Sequence, residues 1–300
     1  MKAVYSHAYE VDIGAHVFPT AKFRLTRERL LHEKLIQKED FIPAPDCSDQ
    51  DILRVHTQDY LNRLTRGSLS QQELLALELP YSKELVQASR ICVGGTILAA
   101  QLALGEKQRA AVHLGGGFHH AFSDHGEGFC VFNDVACAAK FCLEQKNIAR
   151  VMIVDCDLHQ GNGTAAIFRD HPDVFTFSIH QQNNYPAIKP PSDLDIGLDD
   201  ETPDQEYLET LQKELHQPIK DFRPELIFYI AGADPYLNDQ LGGLKLTLSG
   251  LALRDQLVAS LTQAAGASFV VVFGGGYARD INDTAKIHYN TVKKTMEILR

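Results

Sequence analysis

Two carboxylates and an imidazole alternate along Asp155-Cys156-Asp157-Leu158-His159. Alternate residues of an extended chain point to the same side, so these three groups share a face. Buried carboxylates leaving an apolar segment are costly unless they are paired or bound to a cation. Carboxylates and imidazole suit zinc, and a catalytic zinc keeps three protein ligands with one position open. Asp234, in Ala231-Gly232-Ala233-Asp234, offers a further oxygen. An aspartate that merely caps a helix beside a core histidine would explain a lone D-x-D. It explains less once Gln160-Gly161-Asn162-Gly163 follows. The pair His119-His120 stands behind Gly115-Gly116-Gly117-Phe118. Adjacent histidines offer acid and base near neutral pH, and glycines let the backbone approach a ligand. Tyr277 follows Gly274-Gly275-Gly276; a phenol facing a Lewis acid can donate to a developing oxyanion, although an aromatic that simply covers the sheet edge is the simpler account from the residues alone.

Each of these groups lies just after a short apolar run: residues 110–114, 150–154, 226–230 and 269–273. Together with residues 174–179, they are rich in Val, Ile and Phe and read as buried strands. Between them, residues 83–104, 134–145, 207–221, 249–265 and 283–299 space their apolar positions as amphipathic helices do. Alternating units of this kind predict an α/β fold, a mostly parallel central sheet with helices on both faces. In such sheets the ligand sits beyond the carboxyl ends of the strands, which is where the polar residues fall. No linker, charge block or repeat divides the chain, so one catalytic domain over residues 1–300 is expected. Residues 181–205, with four prolines, read as a long surface loop.

The formal charge of −10 excludes a basic stripe for nucleic acid and is compatible with a cationic substrate. Both glycine runs fail the G-x-G-x-x-G pattern, since His120 and Arg279 occupy its sixth position, and no phosphate-loop motif occurs. The longest apolar runs, residues 226–231 and 269–273, are too short to cross a bilayer, and the first residues do not resemble a secretory signal. Six cysteines without a C-x-x-C pair point to free thiols and a cytoplasmic protein.

Taken together and in order, G-G-G-F-H-H, G-F-C at Gly128-Phe129-Cys130, D-C-D-L-H-Q-G-N-G, A-G-A-D and G-G-G-Y resemble the zinc-dependent histone deacetylase family. His16-Val17-Phe18-Pro19 and His56-Thr57-Gln58-Asp59-Tyr60-Leu61 extend the likeness over almost the whole chain. Gln160-Gly161-Asn162-Gly163 and Leu241-Gly242-Gly243-Leu244 look most like its class IV branch. The resemblance implies the arginase–deacetylase fold and a zinc held by Asp157, His159 and Asp234. It implies that His119 and His120 form the acid–base pair, with His120 the preferred general base, and that Asp155 orients His119. Tyr277 would hydrogen-bond the substrate carbonyl, while Gly128 and Phe129 would line a channel for a lysine stem. A structural potassium is implied at Asp155, Asp157, His159, Ser178 and Ile179. Asn162 departs from the class I pattern, which has aspartate there; an amide can hold His120 but should leave it less basic. The substrate implied is an acylated lysine in a protein or peptide, with a small acylated amine such as an acetylpolyamine as the rival. A two-manganese, arginase-like hydrolase would need further carboxylates. A non-catalytic acyl-lysine-binding module would have lost the tyrosine or a histidine. Residues 14–23 and 73–82 are expected at the channel rim.

Overall fold

Eight strands lie side by side in one sheet of the computed structural model, which describes residues 1–105, 109–145 and 148–299. They are β1 (Lys2–Tyr5), β2 (Phe41–Pro43), β3 (Ala110–His113), β4 (Val151–Asp155), β5 (Val174–Gln181), β6 (Leu194–Leu198), β7 (Leu226–Ile230) and β8 (Ser268–Val272). Their order is β2-β1-β3-β8-β7-β4-β5-β6, and every neighbouring pair is parallel. The helices are α1 (Lys22–His32), α2 (Asp49–Leu53), α3 (Gln58–Arg66), α4 (Gln71–Leu77), α5 (Lys83–Ala103), α6 (Asp134–Gln145), α7 (Asn162–Phe168), α8 (Asp204–Phe222), α9 (Leu248–Ala265) and α10 (Ile281–Ile298).

A parallel sheet must have both faces covered, so its central strands read as continuous apolar runs. Here the two-residue period divides those runs between two cores. Met152, Val154, Ile227, Tyr229, Phe269 and Val271 face one core with residues of α1, α8, α9 and α10. Val151, Ile153, Leu226, Phe228, Val270 and Val272 face the other with residues of α3, α5 and α6. Burial of each such side chain stabilises the fold by roughly 1.5–3 kcal/mol, which is why the sheet order is firmly specified. Helix starts are marked locally: Ser70 and Glu73 form a reciprocal cap on α4, and Thr247 accepts from Gly250 N at the start of α9.

The strands after which chemistry was expected are present within a residue or two of their expected bounds, and so are four of the five helices; α8 starts three residues earlier than expected, at Asp204. One expectation needs correction. The segment 181–205 is not all loop: Leu194–Leu198 forms the edge strand β6 beside β5. Its Asp195 and Gly197 weaken the strand signal, and an edge strand with alternate residues exposed needs no continuous apolar run. The short strands β1 and β2 at the opposite edge also carried no readable signal. Helix α5 is long and apolar enough, by length and composition alone, to cross a membrane. Its buried residues Cys92, Val93, Ile97 and Ala100 pack in the two cores of the sheet. All six cysteines are buried thiols, with no disulfide among them.

Candidate active site

The loops that carry the polar residues follow β3, β8, β7 and β4, four strands adjacent in the sheet. Parallel pairing puts all four carboxyl ends on one edge. Asp157, His159 and Asp234 meet there, each with a ligand atom within 4.8 Å of the others, and all three are buried. His159 Nδ1 lies 3.2 Å from both Asp157 Oδ1 and Asp234 Oδ2. A tetrahedral zinc with bonds of about 2.0–2.2 Å separates its ligand atoms by roughly 3.3 Å, so the cluster has the size and donor chemistry for that ion. Burial works against a charged His159. The hydrogen bonds to Asp157 and Asp234 outweigh it and push its pKa up to about 10.

The carboxylates are aimed by backbone amides. Gly275 N donates to Asp157 Oδ2 at 2.7 Å, His159 N to Asp157 Oδ1 at 3.0 Å and Leu158 N to Asp234 Oδ1 at 3.1 Å. Gly275 is glycine because a β-carbon would stand inside the contact distance of Asp157 and Asp234 oxygens. Asp155 is turned away from the cage: its Oδ2 accepts from His119 Nδ1 at 2.6 Å.

The two histidines differ in partner and therefore in charge. For His119, burial opposes the imidazolium, yet Asp155 and Asp157 prevail and raise its pKa to about 9. His120 Nδ1 lies 2.7 Å from Asn162 Oδ1, a neutral amide. Burial, with His119 and His159 nearby, lowers His120 well below an ordinary histidine. The rings stand 4.1 Å apart. The two rings are thus shifted in opposite directions, His119 upward by its carboxylate neighbours and His120 downward by burial.

Tyr277 is buried at the start of the segment after β8, with its ring 6.4 Å from that of His159. Burial, reinforced by Asp234 and Asp157, raises its pKa well above an ordinary phenol, so it remains a donor. Gly128 and Phe129 both adopt left-handed backbone, at φ 50° and 68°. That turn is held by Gly128 N and Phe129 N donating to Ala76 O and Leu77 O. The Phe129 ring packs 5.9 Å from Tyr277, 5.9 Å from Phe18 and 5.0 Å from His16. His16 in turn sits 2.9 Å from Glu78 O, so both expected rim segments meet beside Phe129. Tyr185 faces His120 at 5.0 Å and His159 at 6.2 Å. Ser178 and Ile179 lie buried on β5, with Ser178 in register with Asp155.

Several residues that position this site were not singled out from the sequence. Arg254 on α9, wholly buried, donates to Cys156 O at 3.1 Å and Gly232 O at 2.7 Å, tying together the loops that bear Asp157, His159 and Asp234. Asp255 fixes Arg254 and also accepts from Tyr229 and Thr291. Asp134 accepts from Gly117 N, Phe118 N and Thr96, and so holds the turn before the histidine pair. Lys22 is buried against Phe18, Phe23 and Tyr277 and donates to Gly274 O at 2.8 Å. Burial lowers its pKa to about 8 against the pull of Asp234 and Asp157. Glu127 accepts from Asn162 Nδ2 and from Tyr185 Oη, each at 2.6 Å. The signal that could have found Arg254 is a lone cation within a stretch whose helical period puts it on the apolar face; Lys22 stands in α1 with Arg24, Arg27 and Arg29 and gave no such signal.

Comparison with known proteins agrees with this geometry. Residues 16–292 match the histone deacetylase domain. An uncharacterised protein of Picosynechococcus sp. is 43% identical over 288 residues, 95% of each chain. Histone deacetylase 2 of Arabidopsis thaliana is 31% identical over 92% of this chain and 74% of its own. The acetoin utilization protein AcuC of Bacillus subtilis is 30% identical over 91% of this chain and 76% of its own. Among solved structures, the HDA15 HD domain superposes with a TM-score of 0.80 at 20% identity, covering 99% of this chain and 95% of that one. The chain belongs to the histone deacetylase family and is a hydrolase of acyl amides.

Proposed function

We propose that this hydrolase removes acyl groups from the side-chain amine of lysine in a protein or peptide, with zinc held by Asp157, His159 and Asp234. The reading rests on one juxtaposition: two carboxylates and an imidazole converge beside a pair of buried histidines, one held by a carboxylate and the other by an amide. A divalent ion in this cage supplies the Lewis acid that polarises the acyl carbonyl and activates water.

The protein's own groups account for the proton transfers. His120, neutral at working pH, takes a proton from the attacking water and returns it to the leaving amine. His119 is kept cationic by Asp155 and supplies positive charge beside the oxyanion. Tyr277 donates a hydrogen bond to the same oxygen, a contact worth most where water is excluded. Gly128 and Phe129 would line the channel for an unbranched aliphatic stem, with Phe129 packed against Phe18 and Tyr277. A structural potassium at Asp155, Asp157, His159, Ser178 and Ile179 completes the proposal.

Acyl-lysine peptides from acetyl to myristoyl, and acetylpolyamines, offered to the protein with zinc and with chelator, test it. Turnover of the peptides, lost to chelator and restored by zinc, is the expected result. Turnover of acetylpolyamines alone would move the substrate to small amines. Activity indifferent to chelator would overturn the metal assignment.

A further inference from the structure

The side chain of Asn162 has two faces and both are engaged. Oδ1 lies 2.7 Å from His120 Nδ1, and Nδ2 lies 2.6 Å from Glu127 Oε1. An amide can be turned end for end, which would offer His120 a donor instead of an acceptor. What decides between the two is the group behind it. Glu127 Oε1 also accepts from Tyr185 Oη at 2.6 Å, and Oε2 stands 3.5 Å from His125 Nε2. Burial works against the Glu127 carboxylate, yet the donors from His125, Tyr185 and Asn162 outweigh it and hold its pKa below the usual value. An ionised carboxylate only accepts. Asn162 must therefore turn its NH₂ to Glu127 and its oxygen to His120, and Nδ1 of His120 must carry the hydrogen. That leaves the lone pair on Nε2, the nitrogen not engaged by Asn162.

We infer that Glu127 is a positioning residue that sets the tautomer of His120 through the Asn162 amide. This rests on the reading of His120 as general base, and it assigns the carboxylate of that relay to a residue 35 positions away from the amide. The relay delivers the orientation of an aspartate–histidine pair without placing a full charge against the imidazole. The neighbouring pair keeps the other arrangement, with Asp155 directly on His119. A carboxylate one amide removed thus orients the second histidine with no ionised group in contact with its Nδ1.

The experiment is ¹⁵N-histidine NMR of the zinc-loaded protein, with the His120 ring assigned by the signals lost in His120→Ala, alongside kcat and KM on the preferred acyl substrate. Wild type should show His120 protonated on Nδ1 only. Glu127→Gln keeps the shape but can present either end of an amide to Asn162. It should leave His120 as a mixture of tautomers and lower kcat roughly tenfold, with KM within about twofold. Asn162→Asp combined with Glu127→Gln moves the acceptor one step along and gives it a donor behind. That pair should restore the single Nδ1–H tautomer. Tyr185→Phe removes the other donor to Glu127 and should leave the tautomer as in wild type, which separates the relay from a general loosening of the loop. A single unaltered tautomer in Glu127→Gln, or an Nε2–H tautomer in wild type, overturns the inference. Because the ring nitrogens are observed directly, an inactive wild type would refute the deacylase reading and leave this measurement standing.

Discussion

Replacing Gly275 by alanine should empty the metal cage and leave the fold standing. A β-carbon at this position lies 2.8 Å from Asp157 Oδ2 and nearer still to Asp234 Oδ2. Ordinary contact begins at 3.4 Å, so the Asp157 oxygen must retreat by 3.4 − 2.8 = 0.6 Å and the Asp234 oxygen by more. Metal–ligand distances tolerate only about 0.2 Å. Unlike its neighbours Gly274 and Gly276, at φ 62° and 142°, Gly275 is not left-handed, so alanine adds volume without backbone strain. Loss of an outer group that merely orients a ligand costs about 10–100-fold in metal affinity. Displacing two ligands themselves should cost at least that. Overpacking of one methyl group costs about 1–3 kcal/mol, so the variant should still fold. Zinc affinity measured against a competing chelator, with circular dichroism melting on the same samples, separates the two effects. A variant that melts near wild type and has lost zinc fits the argument. One that keeps a full equivalent at wild-type affinity shows that the glycine was not there to make room for the carboxylates, and the steric reasoning fails.

Two further outcomes follow from the same geometry. Tyr277→Phe should keep zinc and KM and lose about a hundred- to a thousandfold in kcat, the usual cost of one oxyanion donor; steady-state kinetics with zinc analysis checks it, and near-normal turnover would remove Tyr277 from the chemistry. The fold should weaken in acid, since burial lowers the pKa of His56 to about 4 and of His113 to about 3. Both stay neutral in the folded protein while the unfolded chain takes up protons below about pH 6.5. Stability is therefore complete above that pH and lost on the way down, by about 2 kcal/mol per histidine at pH 5. Urea melts of the metal-free protein at pH 7.5 and pH 5, compared between wild type and His113→Asn, should show the acid loss smaller by about 2 kcal/mol in the variant; an unchanged difference would mean that His113 does not carry it.

How much of this was legible in the chain depended on sequence distance. Asp155, Asp157 and His159 share one strand end, so alternation alone puts them together. Asp234 and Tyr277 were reachable because each also follows an apolar run, and parallel strands must end on a common edge. The choice between Asp155 and Asp157 as the ligand was not in the spacing. It is made by Gly275 N and His159 N, which turn Asp157 toward the cage, and by His119, which draws Asp155 away. The strand β6 was missed for a physical reason: an edge strand has one side in water and need not announce itself with apolar residues.

The supporting groups were hidden more deeply, because their meaning lies in the direction of hydrogen bonds and not in residue type. Thr96 donates to Asp134, so it must accept from His113 Nδ1, and His113 Nε2 must then accept from Tyr9 Oη at 2.7 Å. The chain of donors ends on a carboxylate that also receives the amides of the turn before His119. Glu127, Asn162 and His120 repeat the device on the other side of the same turn. In each case one carboxylate, buried at Asp134 and partly buried at Glu127, fixes the proton on a histidine it does not touch, through a neutral side chain that can both donate and accept. Partners up to 104 residues apart leave no pattern in a linear sequence. What the sequence does display is the histidine pair that such relays serve, and an asparagine where a direct pair would have needed an aspartate.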